Sequence, residues 1–494
     1  MKSTMQRTLR RTAIVLACAW LAGCASVPYH APAMPLPAAY QEAQDSAAQG
    51  AQPDTIAPDW WHAYGDATLD ALLARIDVSN QSLLKSMALL RDARAQVDAA
   101  RAAYFPTVGA TASVTSTHLS ANVVGHSLAG KTTPDHLLGI GASWEPDLFG
   151  RIGNNVDAAQ ARAQASADDV AAVRLSLQAE AAIDYFGIRS LDREAALLQQ
   201  TVDAYASVLQ LVTNRYRGGI AAEGDVAQAQ AQLESTRAQV ADLRLARTQL
   251  QHALATLVGE PASTFALPVA ATNTAGTAGT GIALPATPAA VPAMLLQRRP
   301  DISAAERRVA AANAQIGVAR AAFFPTLMLN LNGGLESSGL AGWLTAPSRF
   351  WAVGPALAAT IFDGGKRQAG VDSARAQFDA SAADYRETVL KAVQDVEDNY
   401  AALRLLDHEA ASQQAAVTAS SRALQQATER YRKGAAAYLD VNVVQAAALT
   451  DARALEAVHR RQLTASVSLF RALGGGWEEK DAKEGKAGKA PNEG

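Results

Sequence analysis

The sequence predicts an α+β membrane protein built from two tandem repeats, each with short barrel strands followed by very long paired helices. Three observations predict this. An ordered set of motifs recurs about 215 residues further along the chain, four short segments alternate apolar with small or polar residues, and the remaining length carries Ala-rich, heptad-like patterns. Four strands are too few to close a barrel, for which about eight is the minimum, so the strands must be pooled among subunits.

At the N-terminus, Lys2, Arg7, Arg10 and Arg11 precede a short apolar run from Thr12 to Trp20. That run is too short for a permanent membrane span and reads as a signal peptide over residues 1–23. Leu21-Ala22-Gly23-Cys24 matches a bacterial lipobox, so Cys24 is expected to be acylated and to become the mature N-terminus. Ala25 rather than Asp follows, which under the same resemblance directs the chain to the outer membrane. Residues 24–59, rich in Pro, Ala and Gln, are expected to form an extended tether.

The first repeat covers residues 60–260. It opens with a helix from about Leu69 to Tyr104, stopped by Pro106. Strands are expected at about 107–118 and 137–148, a long helix at about 151–216 and a second at about 224–258. Residues 261–292 form an Ala/Thr/Gly/Pro linker. The second repeat, 293–474, uses the same grammar: a helix from about Ala304 to Phe323, strands at about 326–335 and 350–362, and helices at about 365–432 and 438–473. Residues 475–494, mixed charges after a run of Gly, should be a disordered tail.

The duplication rests on particular matches. Arg101-Ala-Ala-Tyr104-Phe105-Pro106-Thr107 recurs as Arg320-Ala-Ala-Phe323-Phe324-Pro325-Thr326, and Ala161-Arg162-Ala163-Gln164 as Ala374-Arg375-Ala376-Gln377. Arg215-Tyr216-Arg217 recurs as Arg430-Tyr431-Arg432, Asp225-Val226 as Asp440-Val441, and Gly259 as Gly474. The strands show the two-residue period of a sheet with one apolar face. Val108, Ala110, Ala112 and Val114 share a face, as do Leu138, Ile140, Ala142 and Trp144, then Leu327, Leu329 and Leu331, and last Trp351, Val353, Leu357 and Ile361. A half-buried soluble sheet alternates in the same way, but here it accompanies a membrane-targeting signal, and only helices and closed barrels satisfy the backbone in lipid. Leu233, Val240, Leu254 and Leu257 in the first half, and Ala448, Leu455, Leu469 and Ala472 in the second, form matching coiled-coil seams. A helix of about 65 residues is roughly 100 Å long, a reach no globular core needs.

Composition excludes other classes. A formal net charge of −3 gives no nucleic-acid footprint. Cys18 and Cys24 are the only cysteines, so neither a disulfide framework nor a Cys-based metal site exists in the body. His118, His126 and His136 fall in one loop-like stretch and read as ordinary polar residues rather than a metal site. No phosphate loop, nucleophile elbow or His-based metal motif occurs, so no enzyme and no cofactor are expected.

The Phe-Pro-Thr motif before the first strand of each repeat, Ile361-Phe362-Asp363-Gly364-Gly365 before the long helix, and Arg430-Tyr431-Arg432-x-Gly434 with Asp440 after it complete an ordered set. In these the chain resembles the TolC-like outer-membrane efflux proteins, in particular the lipidated OprM/NodT branch, over residues 60–474 or so. The resemblance implies a homotrimer in which four strands per protomer make one 12-stranded barrel, continued by an α-helical coiled-coil tunnel that tapers shut in the periplasm. It implies a periplasmic adaptor and an inner-membrane pump as partners, contact with outer-membrane lipid, and passive conduction of small molecules. The alternatives are a channel for type I protein secretion and a lipid-anchored coiled-coil structural protein. The turns at Arg217, Gly218 and Gly219 and at Arg432, Lys433 and Gly434 would be the adaptor-contacting tips. The periplasmic gate would involve Tyr431 and Asp225, at positions matching a tie between coils, together with Asp440. Leu439 matches a hydrophobic constriction position, while Val443 stands where some members carry an acidic ring and Ala436 where a basic residue often follows the turn. Those departures favour an apolar constriction of Leu439 and Val443 that closes by dewetting.

Overall fold

The computed structural model describes residues 28–43, 56–269, 283–288, 290 and 292–477. The expected signal peptide, Cys24, the middle of the linker and the tail beyond residue 477 lie outside the described residues. After a short 3-10 turn at Trp60–Tyr64, the first repeat contains α1 (Ala67–Ser79), α2 (Gln81–Ala102), β1 (Thr107–His118), β2 (Thr132–Trp144), α3 (Arg151–Arg217) and α4 (Glu223–Leu257). After a single helical turn at Leu295–Arg298, the second contains α5 (Pro300–Ala321), β3 (Thr326–Ser337), β4 (Arg349–Ala358), α6 (Lys366–Arg432) and α7 (Tyr438–Ala472).

The repeats are equal in length where it matters. Helices α3 and α6 both have 67 residues, and α4 and α7 both have 35, so equivalent residues along them are 215 apart. The Ala-Arg-Ala-Gln match at residues 161 and 374 lies two residues out of that register, a coincidence of an Ala-rich sequence. The helix expected from Leu69 to Tyr104 is two helices. Asn80 adopts an extended conformation between them, and its side-chain oxygen accepts the Leu83 N–H at 2.9 Å, which caps α2.

The chain divides into two compact units. One comprises Met1–Ala33, Leu89–Ser166 and Ala304–Arg386 and holds the sheet, antiparallel in the order β1-β2-β3-β4. The register pairs Val108 with Ala142, Ile140 with Gly333, and Leu331 with Val353, so the apolar faces of all four strands coincide on one side. That side is exposed: Ile140, Trp351, Val353 and Leu357 are each more than 60% accessible. The opposite side carries Thr111, Gly141, Ser143, Asn330 and Asn332, with the Ser143 hydroxyl donating to the Asn330 side-chain oxygen at 3.1 Å.

Two strand positions depart from expectation. β2 begins at Thr132, five residues before the expected 137, and ends at Trp144, not 148. Its polar start reads as loop, yet Thr132 to His136 extend the ladder with β1, and Pro134 is tolerated because β3 pairs only from His136 onward. Beyond Trp144, Pro146 has no N–H to give and the Asp147 carboxylate turns to accept the Ile152 and Gly153 N–H groups at the start of α3. β4 ends at Ala358, short of 362, because Asp363 likewise accepts from Gly365 and Arg367 at the start of α6. At the N-terminal end of this unit the Tyr29 hydroxyl donates to Glu306 Oε1 at 2.6 Å.

The other unit, Met34–Ala88, Ala167–Ser303 and Glu387–Gly494, contains the main hydrophobic core. Trp60, Tyr64, Leu69, Leu73, Ile76, Tyr185, Phe186, Leu254, Val467 and Phe470 form it, with Trp60 stacked on Phe470 at 5.5 Å. Each repeat is locked here in the same way. A Cβ on Gly259 would collide with the Ser79 carbonyl, and one on Gly474 with the Arg298 carbonyl. Asn80 donates to the Leu257 carbonyl at 2.8 Å, and the buried Arg299 donates to the Ala472 carbonyl at 3.1 Å. Each lock satisfies a carbonyl that the end of its helix leaves open. Residues 475–477, at the start of the expected disordered tail, are held in a turn. Gly475 donates to the Phe470 carbonyl at 2.9 Å and Trp477 to that of Gly474 at 3.0 Å, with Gly474, Gly475 and Gly476 all at positive φ. The tether is held too, by the Gln41 and Glu42 N–H groups, which donate to Glu397 at 2.7 and 2.9 Å. Among the described residues no helix is long and apolar enough to cross a membrane.

Candidate functional site

The Arg-Tyr-Arg motifs end α3 and α6, and both helices close with the same glycine-dependent hydrogen bonds. Gly219 at φ +75° donates to the Tyr216 carbonyl, and Ile220 donates to that of Arg215, both at 2.9 Å. Gly434 at φ +74° donates to Tyr431 at 2.9 Å and Ala435 to Arg430 at 2.8 Å. This double bond around a left-handed residue satisfies two carbonyls left open at a helix end, and glycine adopts it without steric cost. Arg217, Gly218, Gly219, Arg432, Lys433 and Gly434 are all exposed on these turns.

The following helices start alike. Asp225 Oδ2 accepts the Ala222 N–H at 3.3 Å, and Asp440 Oδ2 accepts the Ala437 N–H at 3.1 Å. Both carboxylates lie in the first turn, where they satisfy an open N–H and meet the positive end of the helix dipole. Among the described residues no hydrogen bond joins Asp225 to Tyr431 within the protomer. Tyr431 is buried instead under the Arg215 guanidinium, 4.3 Å from its ring centroid, and against Tyr438 at 5.9 Å. Arg215 also donates to the Tyr431 carbonyl at 3.0 Å and the Arg432 carbonyl at 3.3 Å, so a residue of the first repeat holds the second. Burial, then the neighbouring Tyr205 and Tyr431 and the charge of Asp225, push the Tyr438 hydroxyl up to about 12. Sequence reasoning missed the role of Arg215. Its only signal was the Arg-Tyr pair in each half, which marks the duplication and says nothing of a contact between halves.

Leu439 and Val443 follow Tyr438 one helical turn apart and are 54% and 61% exposed. With Ala447 and Thr450 they form one open stripe on α7, whose opposite side buries Tyr438, Val441 and Gln445. The three histidines expected in one loop are separately engaged: His118 ends β1, His136 lies in β2, and His126 alone falls in the loop between them. His118 Nδ1 lies 2.8 Å from the Thr132 hydroxyl, His126 Nδ1 accepts the Leu128 N–H at 3.4 Å, and His136 lies against Trp343 at 5.6 Å. Among the described residues no group of three or more His, Cys, Asp or Glu could hold a metal ion.

The family model for outer membrane efflux proteins matches residues 72–260 and 291–475, one stretch per repeat. The chain belongs to that family. Outer membrane protein OprJ of Pseudomonas aeruginosa is 32% identical to this efflux protein over 93% of the present chain and 94% of its own. The pyoverdine export outer membrane protein OpmQ of the same species is 31% identical over 95% and 98%. Among solved structures, the outer-membrane channel OprN superposes with a TM-score of 0.84 at 28% identity, covering 92% of this chain and 99% of that one. CusC, described in connection with transmembrane channel formation, superposes at 0.78 with 27% identity over 91% and 99%. The sheet, paired long helices and duplication described above are therefore those of an outer-membrane efflux protein. Members of the family are channels.

Proposed function

We propose that this protein is the outer-membrane channel of a tripartite efflux system, passing small molecules delivered by an inner-membrane pump and a periplasmic adaptor. Three copies pool their strands into one 12-stranded barrel, with four from each. Cys24 carries the lipid that adds to membrane retention. The turns at Arg217–Gly219 and Arg432–Gly434 are the adaptor-facing tips. The observation that carries this reading is the surface beside them. Two large aliphatic side chains, Leu439 and Val443, stay open to solvent on a helix whose other side is well packed. In a threefold ring each contributes three copies to an apolar constriction that excludes water until the tip widens.

Detergent-extracted protein should give a three-chain species by native mass measurement, and in planar bilayers it should conduct weakly at rest. A stable monomer that conducts ions would overturn the reading. Mass spectrometry of the mature chain should find acyl groups on Cys24, and an unmodified peptide beginning elsewhere would remove the lipid anchor from it.

A further inference from the structure

The duplication makes one contact inside the protomer that it could equally make between protomers. Arg215, at the end of α3 in the first repeat, reaches across to the second repeat. Its guanidinium lies 4.3 Å from the Tyr431 ring and donates to the carbonyls of Tyr431 and Arg432 at 3.0 and 3.3 Å. Those carbonyls belong to the last turn of α6, where a cation also meets the negative end of the helix dipole. The equivalents 215 residues away are Arg430 and Tyr216, because α3 and α6 have the same length and the same glycine closure. Within the protomer these equivalents do not meet. Arg430 is exposed, and among the described residues its side chain has no hydrogen bond or ion pair. Tyr216 is 43% exposed, whereas Tyr431 under Arg215 is only 6% exposed. The carbonyl of Tyr216 accepts from Gly219 just as that of Tyr431 accepts from Gly434, so the receiving surface has the same backbone form.

We infer that Arg430 repeats the Arg215 contact across each subunit boundary, laying its guanidinium over Tyr216 of the partner subunit and donating to the last carbonyls of that subunit's α3. The inference rests on the three-subunit reading above. In a closed ring of three duplicated chains, the step from first to second repeat lies within a chain and the step from second to first lies between chains. A head-to-tail contact that serves the first step and closes the ring also serves the second. The occupant of the exposed Tyr216 face is then a second copy of this chain. Six arginine clamps encircle the tip, three internal and three between subunits, and Arg430 is a positioning residue for the closed constriction.

Cross-linking tests this directly in the full-length chain. Tyr216→Cys with Arg430→Cys, treated with a short bis-methanethiosulfonate reagent, should give covalent species of two and three chains. The internal control, Arg215→Cys with Tyr431→Cys, should link within single chains and add no mass of a second chain. The inference is overturned if the Tyr216/Arg430 pair stays single-chain while the control links and native mass still gives three chains. Absence of the three-chain species would instead remove the assembly on which it rests. In bilayers, Arg430→Ala and Arg215→Ala should each raise resting conductance severalfold, and Arg430→Lys should fall between Arg430→Ala and the parent, because an ammonium keeps the charge and loses the planar fork. Wild-type conductance from assembled Arg430→Ala trimers would also overturn it.

Discussion

The two hairpin tips have the same backbone and opposite surfaces. Both turn on a left-handed glycine, and both begin the next helix with an aspartate reaching back to the N–H three residues earlier. Yet the first presents Glu223, Gly224 and Gln228 where the second has Tyr438, Leu439 and Val443. Tyr216 is largely open where Tyr431 is enclosed. Groups that satisfy the backbone are shared by the two copies, while the side chains around them, both the buried Tyr438 and the exposed Leu439 and Val443, have diverged.

Breaking the buried side of the second tip should have the largest effect. Tyr438→Ala removes a ring packed on Tyr431 and should cost about 3–5 kcal/mol of stability, whereas Glu223→Ala at the matching place should stay within about 0.5 kcal/mol. Chemical denaturation of the two variants measures the difference, and equal losses would mean that the tips are not distinguished by burial.

The next largest contrast is in conduction. Leu439→Ser should wet the constriction and raise resting bilayer current severalfold, while Gly224→Ser, its equivalent, should leave it unchanged. Leu455→Ser, on the buried seam of α7, should lower the yield of trimers and should not open those that form. A Leu439→Ser channel that folds normally and conducts like the parent would move the constriction elsewhere in the tip.

A smaller contrast concerns pH. Burial, reinforced by Glu180, raises the Asp184 carboxyl to about 6, and the equivalent residue is Asn399, which donates to the Asp395 carbonyl at 2.6 Å. Because the folded state holds this proton more tightly than the unfolded chain, the group weakens the fold as pH rises from about 4 to about 6. Asp184→Asn should therefore stabilise the protein at pH 7 and flatten its stability profile across that interval. Melting temperatures across the range decide it, and an unchanged slope would dismiss Asp184 as its source.

The smallest effect should be the most even. Asp225→Ala and Asp440→Ala each remove one helix-start bond and should each cost about 0.3–1 kcal/mol. A much larger effect of Asp225→Ala on conductance alone would show that its carboxylate also ties neighbouring coils in the trimer.

The sequence made the periodic parts legible and the crossed parts opaque. The apolar faces of the strands were readable because a period of two survives whatever the pairing partner is, and the sheet register then placed all four on one side. The start of β2 was not readable, since Thr132, Thr133, Pro134, Asp135 and His136 have loop composition and are strand only because β1 continues beside them. At the tip, the resemblance marks the positions of Leu439 and Val443, and in the fold both are exposed. The employment of Asp225 at its own helix start and the reach of Arg215 to Tyr431 depend on distances between segments far apart in the chain.

The order β1-β2-β3-β4 has a consequence for the life of the chain before assembly. Both outer strands, 12 residues of β1 and 10 of β4, offer an unpaired row of N–H and C=O groups in the single protomer, beside an exposed apolar face. Such edges pair readily with any extended segment they meet, so an unassembled copy is prone to adhesion until its edges are covered. Each arriving copy covers one raw edge and exposes another. Only the third leaves none, and the hazard ends at the moment the pore is complete.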